Sequence, residues 1–362
     1  MTNSVKAPWT VETRTRTSSV FLVLSIGVLG AAIFAPFFVS RSLIQDLFFI
    51  LTMLVLAQSW NLLAGYAGLV SVGQQAFVGF GAYAMFAGVI LLGLDPIISI
   101  LLAGVSAALL AIPTAIFTFR LQGAYFGIGT WVAAEIVRLS LAQWKTLGGG
   151  TGTSLPRGAT KEMFGVEFLK DTFGFKTSAA ADVITYWLAL VLVVATIGLI
   201  YWLLRSSPGL GLAAVRDNQI AAKSVGVDAR KIKTIVYLST AFLTGLAGAL
   251  IYLQKGRISP DAAFSLIDWT AYIIFIVVIG GIGTIEGPII GILVFFILQS
   301  TLSDYGSWYL LVLGFLGIVT MLFAPRGLWG LFKDKTGIEL FPIRRRLSGG
   351  SLHQESKGEP ND

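Results

Sequence analysis

Of 362 residues, 55% are hydrophobic and only 12% are charged, with a formal net charge of +7 and a mean hydropathy of +0.80. Soluble domains carry about 25% charged residues, so this chain cannot cover a globular surface, and its solvent is a bilayer. With no cysteine, and one histidine (His353) in a polar tail, disulfides, thiolate or histidine metal sites and a catalytic triad are excluded; no cofactor and no catalytic residue is expected.

A helix crossing the hydrocarbon core needs about 20 mostly apolar residues. In chain order, such runs predict spans at 20–39, 43–63, 75–94, 97–119 and 123–142. After a long polar stretch come 183–204, 234–253, 267–284, 287–302 and 308–324. The expected fold class is an all-α integral membrane protein with about ten transmembrane helices. The apolar core of the first run is longer than that of a cleaved signal peptide, and further spans follow, so it is read as a span.

The basic residues sit between these runs, as topology signals do, which argues against a nucleic-acid partner. Lys6, Arg14 and Arg16 lie in an N-terminal arm at 1–19, and Arg120 follows the fourth span. Six more basic residues, Arg205 to Lys233, follow the sixth, and another set runs from Arg326 to Lys357. Ten spans place all four groups on one side, which predicts cytoplasmic N- and C-termini. The domain reading is a permease domain at 20–330, with an outer (periplasmic) loop at 143–182 and a cytoplasmic loop at 205–233. A cytoplasmic tail at 331–362 is expected to be disordered from Leu347.

The segment 61–85, NLLAGYAGLVSVGQQAFVGFGAYAM, is dense in glycine and carries polar groups at membrane depth. Irregular backbone there is tolerated only when buried in protein or lining a wet cavity. Tyr66, Ser71, Gln74 and Gln75 are therefore candidates for a solute pathway; the alternative is close helix packing with the amides satisfied between helices. A second glycine-rich stretch, 279–291 (IGGIGTIEGPIIG), reads as a turn between two helices, with Glu286 near the cytoplasmic interface. It lacks the lysine of a phosphate-binding loop. Glu135 and Arg138 stand three apart in the fifth span, as an intramembrane ion pair or a functional site. Asp268 is expected to cap the eighth span. In the basic loop, residues 213–225 predict one short helix stopped by Gly226, serving as a partner-docking element or a membrane-surface helix.

Seven collinear stretches resemble the branched-chain amino-acid ABC transporter permeases, the LivM-like subunit. They are NLLAGYAGLVSVGQQAFVGFGAY, LQGAYFGIGTWVAAEIVRL, LGGGTG, GLGLAAVRDNQIAAKSVGVDARKIKTIVYLSTAFLTGLAGAL, ISPDAAFSL, VVIGGIGTIEGPIIG and MLFAPRGLWG. The resemblance implies an ABC importer permease architecture in the bacterial inner membrane. It implies as partners a second related permease subunit, two cytoplasmic ATPase subunits, a periplasmic solute-binding protein and membrane lipid. It also implies that Arg216, Asp217, Asn218, Gln219, Ala222 and Gly226 belong to the ATPase-coupling loop. Family members commonly have histidine where Gln74 stands and glutamate where Gln219 stands. Related permeases carry urea and short amides, so that solute class is the alternative. An ion-coupled secondary transporter is the rival from another class; it calls for an ionisable residue at mid-membrane, and Glu135 is the candidate.

Overall fold

In the computed structural model, residues 10–12, 16–156, 158–302, 305–338, 340–342 and 346–348 are described. Helices follow the apolar runs. Arg16–Phe34 (α1) is followed by Arg41–Asn61 (α2), which continues into a wider π-type turn at Leu62–Tyr66. Gln74–Leu92 (α3), Pro96–Thr118 (α4) and Ala124–Ala142 (α5) complete the first half. After a short helix at Val166–Phe173 (α6) comes the long Thr177–Arg205 (α7). The basic loop folds as Ser207–Asp217 (α8) and Gln219–Ser224 (α9), and Ala229–Lys255 (α10) follows. The remainder is Pro260–Ala263 (α11), a π-type turn at Ile267–Ala271 leading into Tyr272–Gly280 (α12), Glu286–Leu302 (α13), Ser307–Phe323 (α14) and Gly327–Thr336 (α15).

Local chemistry sets the ends. The Ser40 hydroxyl accepts from Leu43 N at 3.4 Å, and the Asp95 carboxylate accepts from Ile97 N at 2.8 Å with Pro96 in the first helical position. Gly93 and Gly256 close α3 and α10 in the left-handed conformation, at φ 63° and 65°. Two short antiparallel ribbons complete the chain: Thr10–Glu12 (β1) with Arg346–Ser348 (β4), and Thr153–Ser154 (β2) with Arg257–Ile258 (β3).

Seven helices among the described residues are long and apolar enough to cross a membrane, and α13 and the stretch Val23–Phe37 are shorter apolar helices. The protein is thus a mostly helical, multi-pass membrane protein. Each predicted span falls on a helix, but α5 is outside the seven because Glu135 and Arg138 lower its hydropathy.

Other expectations are corrected. The single helix expected at 213–225 is two, because Asn218 leaves helical geometry and caps α9 with its side chain. Helix α7 starts six residues before the predicted 183, shortening the loop before it, and α10 starts five before 234. Ser265, not Asp268, caps the eighth span: its hydroxyl accepts from Asp268 N at 3.2 Å, leaving Asp268 in the first turn. The boundary at 330 cuts through α15. Leu347 and Ser348, expected to begin the disordered tail, instead pair with β1, while residues 349–362 of that tail, His353, Lys6 and Arg14 lie outside the described residues.

The inner half of α2 is the axis of the bundle. Every residue from Thr52 to Ala67 is buried, enclosed by α7, α10, α12 and α13. Helices α3, α4 and α10 interlock through small residues: a side chain at Gly81 would meet the Gly245 carbonyl, and one at Gly248 the Val78 carbonyl. At the periphery α14 is nearly bare, with Trp308, Leu311, Phe315 and Leu322 all exposed, as lipid- or partner-facing apolar side chains are.

Candidate solute pathway and coupling junction

After the π-type turn the chain runs irregularly through residues 67–73 before α3 begins, and side chains from other helices take up its backbone groups. Trp60 Nε1 donates to Ser71 O at 2.8 Å, and Val72 N donates to Thr130 Oγ1 at 3.0 Å. A Cβ at Gly73 would sit 2.2 Å from the Thr130 carbonyl oxygen, so this loop lies flat on α5 only because residue 73 is glycine.

All four candidate pathway residues are inside the bundle: Tyr66, Ser71, Gln74 and Gln75 are at most 9% exposed. Gln74 Nε2 donates to Thr244 Oγ1 of α10 at 2.6 Å, and Gln75 Oε1 accepts from Thr270 Oγ1. Ser71 Oγ accepts from Gly73 N at 3.2 Å. The Tyr66 hydroxyl and Gln74 Oε1 have no hydrogen-bond partner among the described residues. Between Ala67 and Gly73, exposed surface comes mainly from Gly68 and Val70.

The second glycine-rich stretch forms the turn between α12 and α13, with Gly281 at φ 135° and Gly283 at φ 76°. Asn61 grips it with both ends of its amide: Oδ1 accepts from Gly283 N at 2.8 Å and Nδ2 donates to Thr284 O at 2.7 Å. Gln58 Nε2 donates to Ile285 O at 2.6 Å. A Cβ at Gly65 would lie 2.5 Å from Gly283 N, so the turn abuts the break in α2. Arg216, at the end of α8, donates through Nη1 to the Gly65 carbonyl at 3.1 Å. The basic helix pair, the break in α2 and the α12–α13 turn thus meet at one junction.

Glu286, expected near the cytoplasmic interface, is covered by the chain itself. It is 7% exposed, and its Oε1 accepts from Phe341 N at 3.0 Å, because the segment at 340–342 folds back over the start of α13.

Within the basic pair, Asn218 Oδ1 accepts from Ile220 N and Ala221 N, each at 3.0 Å. Gln219 Oε1 accepts from Lys233 Nζ at 2.9 Å, and Asp217 lies 3.6 Å from Arg216. Ala222 is buried beside Val215 and Ala229, and Gly226 turns the chain at φ 84°. Leu210, Ile220 and Val225 stand out at 73–80% exposure. A cleft of about 480 Å³ opens beside Leu210, lined also by Pro208, Val227, Asp228, Lys231 and Ile235.

The ion pair in α5 is larger than the sequence indicated. Arg138 donates to both Glu135 carboxylate oxygens at 2.6–3.0 Å and through Nη1 to Asp261 Oδ1 at 2.7 Å. Asp261, Gln58, Asn61, Thr130, Thr244 and Thr270 were not singled out in the sequence. Amides inside an apolar run at 58 and 61 were the available signal, since buried amides need partners. Among the described residues no group of three His, Cys, Asp or Glu side chains could hold a metal ion.

A glycine-stitched helical bundle with an irregular, internally bonded backbone at its centre is the build of a membrane permease. The family model described as branched-chain amino acid transport system / permease component matches residues 42–324, and the chain belongs to that family. It is 31% identical over 317 residues to the high-affinity branched-chain amino acid transport system permease protein LivM of Escherichia coli (strain K12), covering 84% of this chain and 73% of the relative. The LivM of Salmonella typhimurium is 30% identical over the same shares. A probable LivH of Methanocaldococcus jannaschii is 26% identical over 185 residues, 49% of this chain and 53% of the relative. No solved structure matches.

Proposed function

We propose that this chain forms half of the pore of an ATP-driven importer for branched-chain or other small amino acids in the bacterial inner membrane. In this reading it has ten spans and cytoplasmic termini, and it pairs with a second, related permease; the likeness to a LivH as well as to LivM supports that pairing. One of two ATPase subunits docks on α8 and α9, where Leu210, Ile220 and Val225 offer apolar knobs and a cleft beside Leu210 carries Lys231 and Asp228 in its lining. A periplasmic binding protein delivers the solute, and membrane lipid covers the outer apolar faces.

The observation that carries the reading is the Arg216 contact with the Gly65 carbonyl. ATP-driven closure of the ATPases moves α8, and Arg216 transmits that displacement to the break in α2. Asn61 and Gln58 pass it to the α12–α13 turn. Such a shift between outward- and inward-open states requires the ATPases to bind the two states with different affinity. Tyr66, Ser71, Gln74 and Gln75 lie one layer behind the pathway here, holding the wall that faces solute.

The test is uptake of labelled leucine, with urea in parallel, by cells lacking the chain and complemented with wild type, Arg216→Met or Ile220→Asp. Wild type restores leucine uptake, and both variants insert but carry it at a rate about tenfold lower or less. Normal leucine uptake by a stably inserted Ile220→Asp, Arg216→Met double variant overturns the coupling route. Restoration of urea but not leucine entry overturns the solute assignment.

A further inference from the structure

The matched family region ends at residue 324, and the chain beyond it wraps the α12–α13 turn that α2 grips. Helix α15 is seated on that turn backbone to backbone. A Cβ at Gly327 would lie 2.4 Å from Gly281 Cα, and one at Gly281 would lie 2.8 Å from the Arg326 carbonyl oxygen. Gly337 then ends α15 in the left-handed conformation, φ 67°, and redirects the chain toward Phe341.

Phe341 touches three elements at once. Its N–H donates to Glu286 Oε1, at the start of α13, at 3.0 Å. Its ring stands edge-on to Tyr201 of α7, with centroids 6.0 Å apart, and to Phe21 of α1 at 5.3 Å. Pro342 beside it is buried. Tyr201 lies four residues before the end of α7, and its hydroxyl accepts from Arg205 Nη1 at 2.7 Å. Only Ser206 separates α7 from α8, and a Cβ at Gly209 would lie 2.3 Å from the Leu204 carbonyl oxygen, so the root of α8 is packed directly on the end of α7.

Two links therefore join α8 to the α12–α13 turn, and they differ in kind. Through Arg216, Gly65 and Asn61, a displacement at the tip of α8 reaches the turn. Through Tyr201 and Phe341, the root of α8 is fastened to the first residue of α13, so movement of α13 against α7 must break that fastening. The fastening is light, one hydrogen bond to a carboxylate and two ring edges, whereas the Gly327–Gly281 seat below it has no flexible atom to yield. Segments held by few contacts open first.

We propose that residues 340–342 are a releasable latch that holds the end of α7 against the start of α13 and restrains the ATPase-driven stroke until it lets go. The proposal rests on the reading of the chain as the permease half of an ATP-driven importer.

The experiment is ATP hydrolysis by the purified complex of the full chain with its partner permease and ATPases in lipid nanodiscs, without and with leucine-loaded binding protein. Phe341→Ala is expected to raise hydrolysis without binding protein about threefold or more, because both ring contacts are lost, and Phe341→Tyr to stay near wild type. A merely structural role for Phe341 predicts less hydrolysis and a lower Tm instead. The pair Tyr201→Cys, Phe341→Cys, joined by a reducible thiol cross-linker, is expected to lose stimulation by the binding protein and to regain it on reduction, with each single-cysteine variant as control. That pair decides the question where Phe341→Ala does not assemble. Unchanged or lowered basal hydrolysis in an assembled Phe341→Ala complex, or full stimulation after cross-linking, overturns the latch. ATP-dependent leucine uptake by wild type in proteoliposomes keeps the importer reading standing beside either of those results, and its absence overturns both.

Discussion

At the scale of single residues, Asn61 and Ser59 make a useful contrast. Both are fully buried near the end of α2, but Asn61 bonds two backbone groups of the α12–α13 turn whereas the Ser59 hydroxyl has no partner among the described residues. Asn61→Leu leaves Gly283 N–H and Thr284 C=O unmet, at about 1–3 kcal/mol for each buried group. Ser59→Ala removes a buried hydroxyl that has no partner among the described residues, so it should not lower stability. Thermal unfolding of the detergent-purified complex distinguishes them: a drop of several degrees for Asn61→Leu beside an unmoved Ser59→Ala. Equal drops would mean that the junction does not hold the turn. Little of this was legible beforehand. The amides at 58 and 61 stand out in an apolar run, but which backbone they reach depends on a segment more than 220 positions later. Gln74 is the same case: its polarity marked it as needing a partner, and Thr244, 170 positions on, could not be read from local pattern.

At the scale of elements, the glycines sort into contacts and open surface. Gly81→Ala would drive a methyl to within 2.3 Å of the Gly245 carbonyl oxygen, backbone against backbone, with no flexible atom to yield. Overpacking of this kind costs about 1–3 kcal/mol or more, so insertion yield and assembly of that variant should fall sharply. Gly198, on the exposed face of α7 with nothing within 4 Å, should accept alanine and gain about 1 kcal/mol of helix propensity. Quantifying membrane-inserted protein for the pair checks this; a Gly81→Ala variant as abundant as Gly198→Ala would show that α3 and α10 do not rely on close approach. The helices themselves were legible, because apolar runs bounded by charge can adopt little else in a bilayer. The break between α8 and α9 was not: Asn218 sits among good helix formers, and its capping role appears only once its side chain is seen to turn onto Ile220 N and Ala221 N.

At the scale of the whole molecule, the ten-span proposal makes opposite assignments for Ser224 in α9 and Glu162 before α6, both exposed. The chain has no cysteine of its own, so Ser224→Cys and Glu162→Cys each introduce a single thiol. A membrane-impermeant maleimide applied to spheroplasts should label residue 162 at once and residue 224 only after permeabilisation. Labelling of both from the same side would refute the topology. The charge bias along the chain carried this reading, since basic residues are retained on the cytoplasmic side during insertion. The cluster completed by Asp261 was hidden because it joins a span to a turn that looked like polar linker.

The enclosure of α2 between Thr52 and Ala67 also bears on how such a protein can change over time. At this hub glycines meet backbone, and amides clasp main-chain groups whose chemistry no substitution elsewhere can alter; tight interiors of this kind accept few replacements. The outward face of α5, where Tyr125, Ile128, Val132 and Ile136 stand clear of the chain's own packing, is under no such restraint. A lineage of these chains can therefore exchange residues on that face while the hub passes unaltered from ancestor to descendant.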